Sequence, residues 1–580
     1  MMRFVFFLFV ISPSFGYSQQ IETVDFLKAT VQIEPVAVAK KVYGEATYSF
    51  KVLQDTTAVY LDAKDIKVFD IVSDGITVMA AEDKIWLKHD FLANEQYAVS
   101  FSFEALPKQT VYFFENQVWT QGQGKYTSHW LPSIDDMNDK IEFDITLVTG
   151  PEEIAVANGK LLSTQLKDGK KHYQFDMQEP MSSYLVAFAV GYFEKKILYS
   201  NSGIPIELYY ERKDSLKVEP TYRHTKQIFD FLESEIGVAY PWQDYKQVPV
   251  RDFLYAGMEN TTATFFSEAF VIDSIGFSDR NYVNVNAHEL AHQWFGNLVT
   301  ETEGTHHWLH EGFATYFALL SEKEVFGEEY YYWKLFQSAE QLKAFSDEGK
   351  GESLLNPKAS SLTFYEKGAW ALHVLRAQIG DVAFKTTVKK YLEKFRFQNV
   401  TTEDFLEDAR TSSGQDLKEF EADWLQQSAF KAEQAYSSLM ESPFIKKYFE
   451  IAALSQLSLA EKRLQLKVAL TFPDDYIGQE AVYQLVREPI SESIALYKNG
   501  FASNNIYVRQ AIALSLESIP EELKEECESL LNDMSYVTQE AALYRLWSQF
   551  PDNRSIYLNK MQAVIGFQNK NVRQLWLVLA

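Results

Sequence analysis

Four residues of this chain have the types and spacing of a catalytic metal centre. In Val285-Asn-Ala-His288-Glu289-Leu-Ala-His292-Gln-Trp-Phe-Gly-Asn297 two histidines stand four apart. On a helix they lie about one turn apart on one face, so both imidazoles can address one ion. Glu289 falls about 100° around that helix from His288, near enough to reach a water on the ion without coordinating it. That is the place of a general base. Nineteen positions after His292 comes Glu311, in His307-Trp-Leu-His310-Glu311-Gly-Phe-Ala-Thr-Tyr316. This amphipathic run predicts a second helix, with the carboxylate as third ligand. The His-Glu-x-x-His pattern alone is only moderately specific. Clustering strengthens it: His288, His292, His306, His307 and His310 are half of the ten histidines in the chain.

The elements that must position these groups follow from periodicity. From about residue 19 to residue 195 short alternating runs recur, such as 46–52, 96–103 and 140–147, with turns at Asn158-Gly159 and Asp168-Gly169. Period-two alternation predicts an antiparallel β-domain. Inside it, Trp119-Thr-Gln121-Gly-Gln123-Gly is a glycine-spaced polar turn. After about Lys196 the run Val218 to Glu235 takes helical spacing. Tyr245 to Tyr255 then reads as a strand leading into Ala256-Gly257-Met258-Glu259-Asn260, a glycine turn where backbone can approach a ligand. Helices follow to about residue 430. The polar stretch 431–443 predicts a linker, and 444–580 a helical domain. There Tyr507-Val-Arg-Gln510, Tyr536-Val-Thr-Gln539 and Asn571-Val-Arg-Gln574 open successive apolar runs, the signature of stacked helix pairs. The last residues, Leu575-Trp-Leu-Val-Leu-Ala580, supply no polar cap, so either this end is buried or the natural terminus lies further on.

A chain of 580 residues is too long for one ordinary core. With 55 basic and 80 acidic residues the net charge is −25, which makes nucleic acid an unfavourable partner and suits a cleft that attracts cations. The first residues give one positive charge, an apolar run from Phe4 to Ile11, and small residues at Gly16 and Ser18. This predicts a signal peptide over 1–18, with the mature chain starting near Gln19 and exported to the periplasm or the exterior. The apolar run is too short to span a bilayer and no later stretch approaches ~20 apolar residues, so no stable membrane anchor is expected. Cys527 is the only cysteine, which excludes an intramolecular disulfide.

Taken together, Gly257-Met-Glu-Asn260, His288-Glu-Leu-Ala-His292-Gln-Trp-Phe-Gly-Asn297, Trp308-Leu-His-Glu311-Gly-Phe-Ala and Phe364-Tyr365-Glu-Lys-Gly368 resemble the zinc metallopeptidases that include aminopeptidase N and leukotriene hydrolase. Four blocks in the family's order are far more specific than one. The resemblance is strong over about Tyr199 to Trp424, recognisable around Gln121 to Pro132, and architectural in the C-terminal helices.

The resemblance implies a multidomain α+β chain: an N-terminal antiparallel β-domain, a thermolysin-like catalytic domain and a C-terminal α-helical, HEAT-like domain; because the chain passes from Ser442 straight into helical pattern, the family's additional β-sandwich is not expected. It implies one Zn²⁺ on His288, His292 and Glu311 with a position open for water, Glu289 as general base and Tyr365 as hydrogen-bond donor to the oxyanion. It implies an amine clamp of Glu259 and Gln123, near Gln121, with Gly257 and Met258 aligning substrate backbone. Peptides with a free N-terminus are the expected substrates.

Two departures from the family stand out. Gln123 replaces a glutamate found in many relatives, which lowers the negative charge of the amine pocket. Gly304 and Thr305 replace a polar pair, so the outer-shell partner of the zinc histidines is not evident; His306, His307 and His310 are read as surrounding residues rather than ligands. Two alternatives stay open. A zinc endopeptidase would keep the metal site but have no use for Glu259 and Gln123, and a silent peptide-binding protein would need neither Glu289 nor Tyr365.

Overall fold

The computed structural model describes residues 20–472 and 475–580; the expected signal peptide, 1–18, lies outside them. Alternation in the N-terminal third becomes sheet with one buried face. Along Lys41–Val52 the residues Ala46, Tyr48, Phe50 and Val52 are buried in turn, and along Lys140–Thr149 so are Ile141, Phe143, Ile145 and Leu147. In the largest sheet, of eight strands, seven run in the order Lys160–Lys167, Lys170–Asp176, Lys140–Thr149, Val24–Val36, Lys41–Val52, Gln96–Ala105 and Ile66–Ser73, and the short Met181–Ser182 pairs with Lys140–Thr149. All pairings in it are antiparallel except Val24–Val36 with Lys140–Thr149, which is parallel. A four-stranded and a three-stranded sheet complete this part.

The next unit is built on a five-stranded sheet in the order Phe193–Tyr199, Pro205–Glu211, Tyr245–Val250, Ala263–Ser267, Gly257–Met258. The two-residue strand Gly257–Met258 is its edge. The strand expected over 245–255 ends at Val250; the apolar Leu254 and Tyr255 that extend the pattern are exposed, on a loop where Asp252 adopts φ 53°. The helical run from Val218 breaks at Arg223-His224 into Val218–Tyr222 and Thr225–Ile236. Two helices then position the expected metal ligands: Val283–Ala291, the metal helix, which ends at His292, and Trp308–Phe326, the ligand helix, buried almost all round from Trp308 to Glu322.

The expected linker is corrected by the structure. Within 431–443 lies the helix Ala432–Leu439, with Ala435 and Leu439 buried and the Ser438 hydroxyl 2.9 Å from His373 Nε2. Its serines line the polar face of a short amphipathic helix, and Ser442 caps the next helix, Pro443–Ala453. Beyond it every described element is helical. Each repeated tetrapeptide sits at a helix start: Ile506–Ser515, Tyr536–Gln549 and Asn571–Leu579, the first two capped by Asn505 and Ser535. These turns reach back to the catalytic unit, where Asp279 accepts from Gln510 Nε2 (2.8 Å) and Ser535 Oγ (2.7 Å), and Asp273 from the Tyr536 hydroxyl. The helical domain therefore grips the loop that enters the metal helix. Among the described residues no helix is long and apolar enough to cross a membrane.

Candidate active site

The spacing of His288 and His292 does what helix geometry requires. Their Nε2 atoms face each other at 3.0 Å, and both address one oxygen of Glu311, at 3.2 and 3.3 Å. His292 Nδ1 lies 2.9 Å from the Phe295 carbonyl and must donate to it, which leaves Nε2 with its lone pair. Two ring nitrogens and a carboxylate oxygen converging at these separations repel one another unless a cation stands between them. The donor set and its spacing fit a three-ligand zinc site. The outer-shell partner of His292 is thus a backbone carbonyl, and Gly304 and Thr305 are not needed for it.

Around this centre the other residues take distinct places. Tyr365 lies in a π-helical turn, Thr363–Lys367, its ring parallel to that of His288 at 5.3 Å. Single π turns recur at functional sites because they re-aim a side chain within a helix. Burial, with Glu311, Glu259 and Glu289 adding, pushes the Tyr365 hydroxyl far up, so it stays protonated and can only donate to an anion. Burial also raises the Glu289 carboxyl well above its ordinary value, and Glu259 and Glu311 add to the rise. Glu259 is buried at the end of the short edge strand. Its carbonyl accepts from Asn297 Nδ2 (2.7 Å) and Gln293 Nε2 (3.2 Å), both from the turn that follows the metal helix. The turn after the metal helix and the loop at Glu259 are therefore one hydrogen-bonded unit.

A second cluster lies behind the ligands. Glu301 Oε1 is 2.8 Å from His307 Nδ1, and Glu301 Oε2 is 3.1 Å from His310 Nδ1. Although burial favours its neutral forms, the Glu301 carboxylate holds His307 up to about 9, and the two histidines hold Glu301 well below the usual carboxylate range. His310 Nε2 reaches to 3.7 Å from Glu259 Oε1 and His307 Nε2 to 3.7 Å from Glu311 Oε1. Room for the His310 ring exists because residue 296 is glycine, at φ 119°; a Cβ there would overlap the ring. His306 is turned away, its Nδ1 accepting from the Thr402 backbone N–H at 3.1 Å.

The cleft holding these groups encloses about 370 Å³ and is lined by Gln123, Gly257, Glu259, His288, Glu289, His292, Glu311 and Tyr365 among others. It brings together eight of the ten residues singled out from the sequence. The other two stand behind it. Met258, in the edge strand itself, is 2% exposed, and Gln121 lines a neighbouring cavity while its Oε1 accepts from the Gln123 N–H at 3.0 Å. Gln121 thus shapes the turn that presents Gln123. Gly122 lets that turn close on the Tyr184 carbonyl, 2.5 Å from where a Cβ would be. Sequence reasoning missed Gln293 and Asn297, although both lie in the quoted motif, and Lys334 on the far wall of the cleft.

Residues 221–424 match the Peptidase family M1 domain and residues 25–185 the Peptidase M1 N-terminal domain. Curated relatives include aminopeptidase N of Lactobacillus helveticus, 28% identical over 351 residues covering 56% of this chain and 41% of that one. Aminopeptidase 2, mitochondrial, of Saccharomyces cerevisiae is 31% identical over 320 residues, 52% of this chain and 33% of the relative. Glutamyl aminopeptidase of Rattus norvegicus is 28% identical over 384 residues, 61% and 40% of the two. The chain spans less than half the length of these relatives. Among solved structures, an M1 zinc metallopeptidase of Deinococcus radiodurans bound to a Tyr-Ser-Ala substrate superposes with a TM-score of 0.61 at 20% identity, covering 70% of this chain and 95% of that one. That likeness is one of fold.

Proposed function

We infer, from the membership of this chain in peptidase family M1 through both its N-terminal and its catalytic domain, that it is a zinc-dependent aminopeptidase acting on peptides with a free N-terminus. One observation carries the exopeptidase reading: Glu259 and Gln123 line the same cleft as the metal ligands and Glu289. A carboxylate there gives an α-ammonium group, with a reference pKa of about 8, a charged partner at neutral pH. An endopeptidase would have a neutral peptide bond at that point and no use for the charge.

His288, His292 and Glu311 would hold the zinc, which when bound would supply the Lewis acidity that makes hydroxide available near neutral pH. The remaining work belongs to protein groups. Glu289 takes the proton of the attacking water; a carboxyl pushed up by burial keeps it and can return it to the leaving amine. The Tyr365 hydroxyl donates to the oxyanion, a contribution typically worth about 3 kcal/mol. The free edge of Gly257–Met258 offers backbone groups for an extended substrate to pair with. Gln123, lining the same cleft, adds a neutral acceptor.

The test is cleavage of Leu- and Arg-arylamides beside an N-acetylated peptide, with and without a zinc chelator and with Glu289→Gln. Chelator-sensitive cleavage of free-amine substrates only, lost in the variant, is expected; cleavage of the blocked peptide would sink the amine clamp. Residues 1–18 have the composition of a signal peptide, and we propose export; mature protein recovered outside the cytoplasm should begin near Gln19.

A further inference from the structure

The cleft has two unlike ends. At the amine end Glu259 faces His310, beside His292. From Glu311 the ligand helix runs away from that end, and Thr315 and Leu319, one and two turns on, still line the cleft. The far wall is the helix Glu328–Asp347, which presents Lys334, Gln337, Ser338 and Gln341. Their spacing of three, one and three is a single stripe on one helix face. Every residue of it is polar, and Lys334 is the one Lys or Arg in a lining that includes Glu259, Glu289, Glu311 and Glu366.

Lys334 is not consumed by the fold. It forms no ion pair within 4.0 Å among the described residues, and its ammonium lies 5.7 Å from the Tyr330 ring centroid. The two carboxyls that feel its charge, buried Glu322 and half-buried Glu366, are pushed up by burial, and Glu322 has other donors in Asn284 Nδ2 at 2.9 Å and the Tyr330 hydroxyl at 3.2 Å. A half-buried cation at the head of a hydrogen-bonding stripe, opposite the amine anchor, is built to meet an anion of the ligand.

Building on the aminopeptidase reading, we propose that Lys334 receives a peptide carboxylate on the leaving-group side of the scissile bond. Leu319 stands about 12 Å along the ligand helix from Glu311, and an extended peptide advances about 3.3 Å per residue. The C-terminal carboxylate of a peptide of roughly three to five residues reaches that far, as does an acidic side chain near the cut. Gln337 and Gln341 offer amides to the intervening backbone.

The experiment uses the zinc-loaded full chain with Leu followed by two to four glycines, each as free acid and as C-terminal amide, and amidated peptides with Glu or Gln after Leu. Wild type should show a KM about tenfold lower for the carboxylate-bearing member of at least one pair, with kcat little changed. Lys334→Gln should erase the difference, Lys334→Arg should restore most of it, and all three proteins should cleave Leu-arylamide alike. A free-acid effect identifies the C-terminus as the carboxylate and a Glu effect the side chain. Acid and amide, or Glu and Gln, within about twofold in wild type would overturn the proposal, as would a preference that persists in Lys334→Gln. If wild type fails to cleave Leu-arylamide, the aminopeptidase reading falls first and this inference with it.

Discussion

The Glu289 carboxylate is packed against the backbone of Gly257: a Cβ on Gly257 would meet the carboxylate oxygen and stand 2.6 Å from Cδ. The glycine of the edge strand and the Glu289 carboxylate thus leave no room for a side chain between them. Gly257→Ala should push Glu289 off the water and lower kcat by roughly 100-fold, the scale of a 1 Å misplacement, while bound zinc stays at one per chain. Loss of zinc together with activity would show that the contact holds the metal helix rather than the base.

Gly312, after the ligand Glu311, and Gly368, after the Tyr365 turn, touch through backbone: a Cβ on Gly368 would lie 2.8 Å from Gly312 Cα. Gly368→Ala should force the two helices apart, lowering stability by about 1–3 kcal/mol and drawing Tyr365 from the metal. Thermal unfolding and kcat read the two effects. An unchanged Tm would refute the contact.

The pocket around the metal is tied by side-chain hydrogen bonds from Gln293 and Asn297 to the Glu259 carbonyl. Chelation should therefore abolish activity and leave the far-UV circular dichroism unchanged. Unfolding free energy should fall by the lost binding term, about 4 kcal/mol at a thousandfold excess over Kd, and the Tm with it. Added zinc should restore activity without a refolding step, and a chelated protein that lost its helical signal would contradict the arrangement.

His373 packs between helices, its Nδ1 2.9 Å from the Tyr331 hydroxyl and its Nε2 2.9 Å from Ser438 Oγ. Burial, with Arg376 and Lys323 adding, lowers its pKa to about 4 from 6.5. The unfolded chain therefore binds a proton that the folded one refuses between those values. Stability from this site is complete above pH 6.5 and lost as the pH falls towards 4, at most about 3 kcal/mol and less because the ring keeps some solvent contact. His373→Gln should flatten urea stability over that window; an unchanged slope would assign the acid sensitivity elsewhere.

The metal face was legible because one helical turn fixes His288 over His292 whatever surrounds them. Contacts that depend on distant backbone were not: nothing near Gly312 announces Gly368, and the acceptor for Asn297 lies 38 residues upstream. Local patterns misled where polarity had two causes. The serines of 431–443 suggested loose chain, but Ser437 lies on the outer face of a short helix, Ser438 bonds His373 and Ser442 caps the next helix. Leu254 and Tyr255 prolonged a strand pattern into an exposed loop. The stripe at Lys334, Gln337, Ser338 and Gln341 is visible in the sequence, yet only the packed helices tell which face meets the cleft.

If Glu259 anchors the substrate ammonium as proposed, each cut would leave a shortened peptide whose new terminus is again an ammonium group, and product would become substrate. A single long peptide incubated with this protein should decay as a ladder, one residue per rung, and the pattern of pauses along it would display the selectivity of the pocket at every side chain in turn.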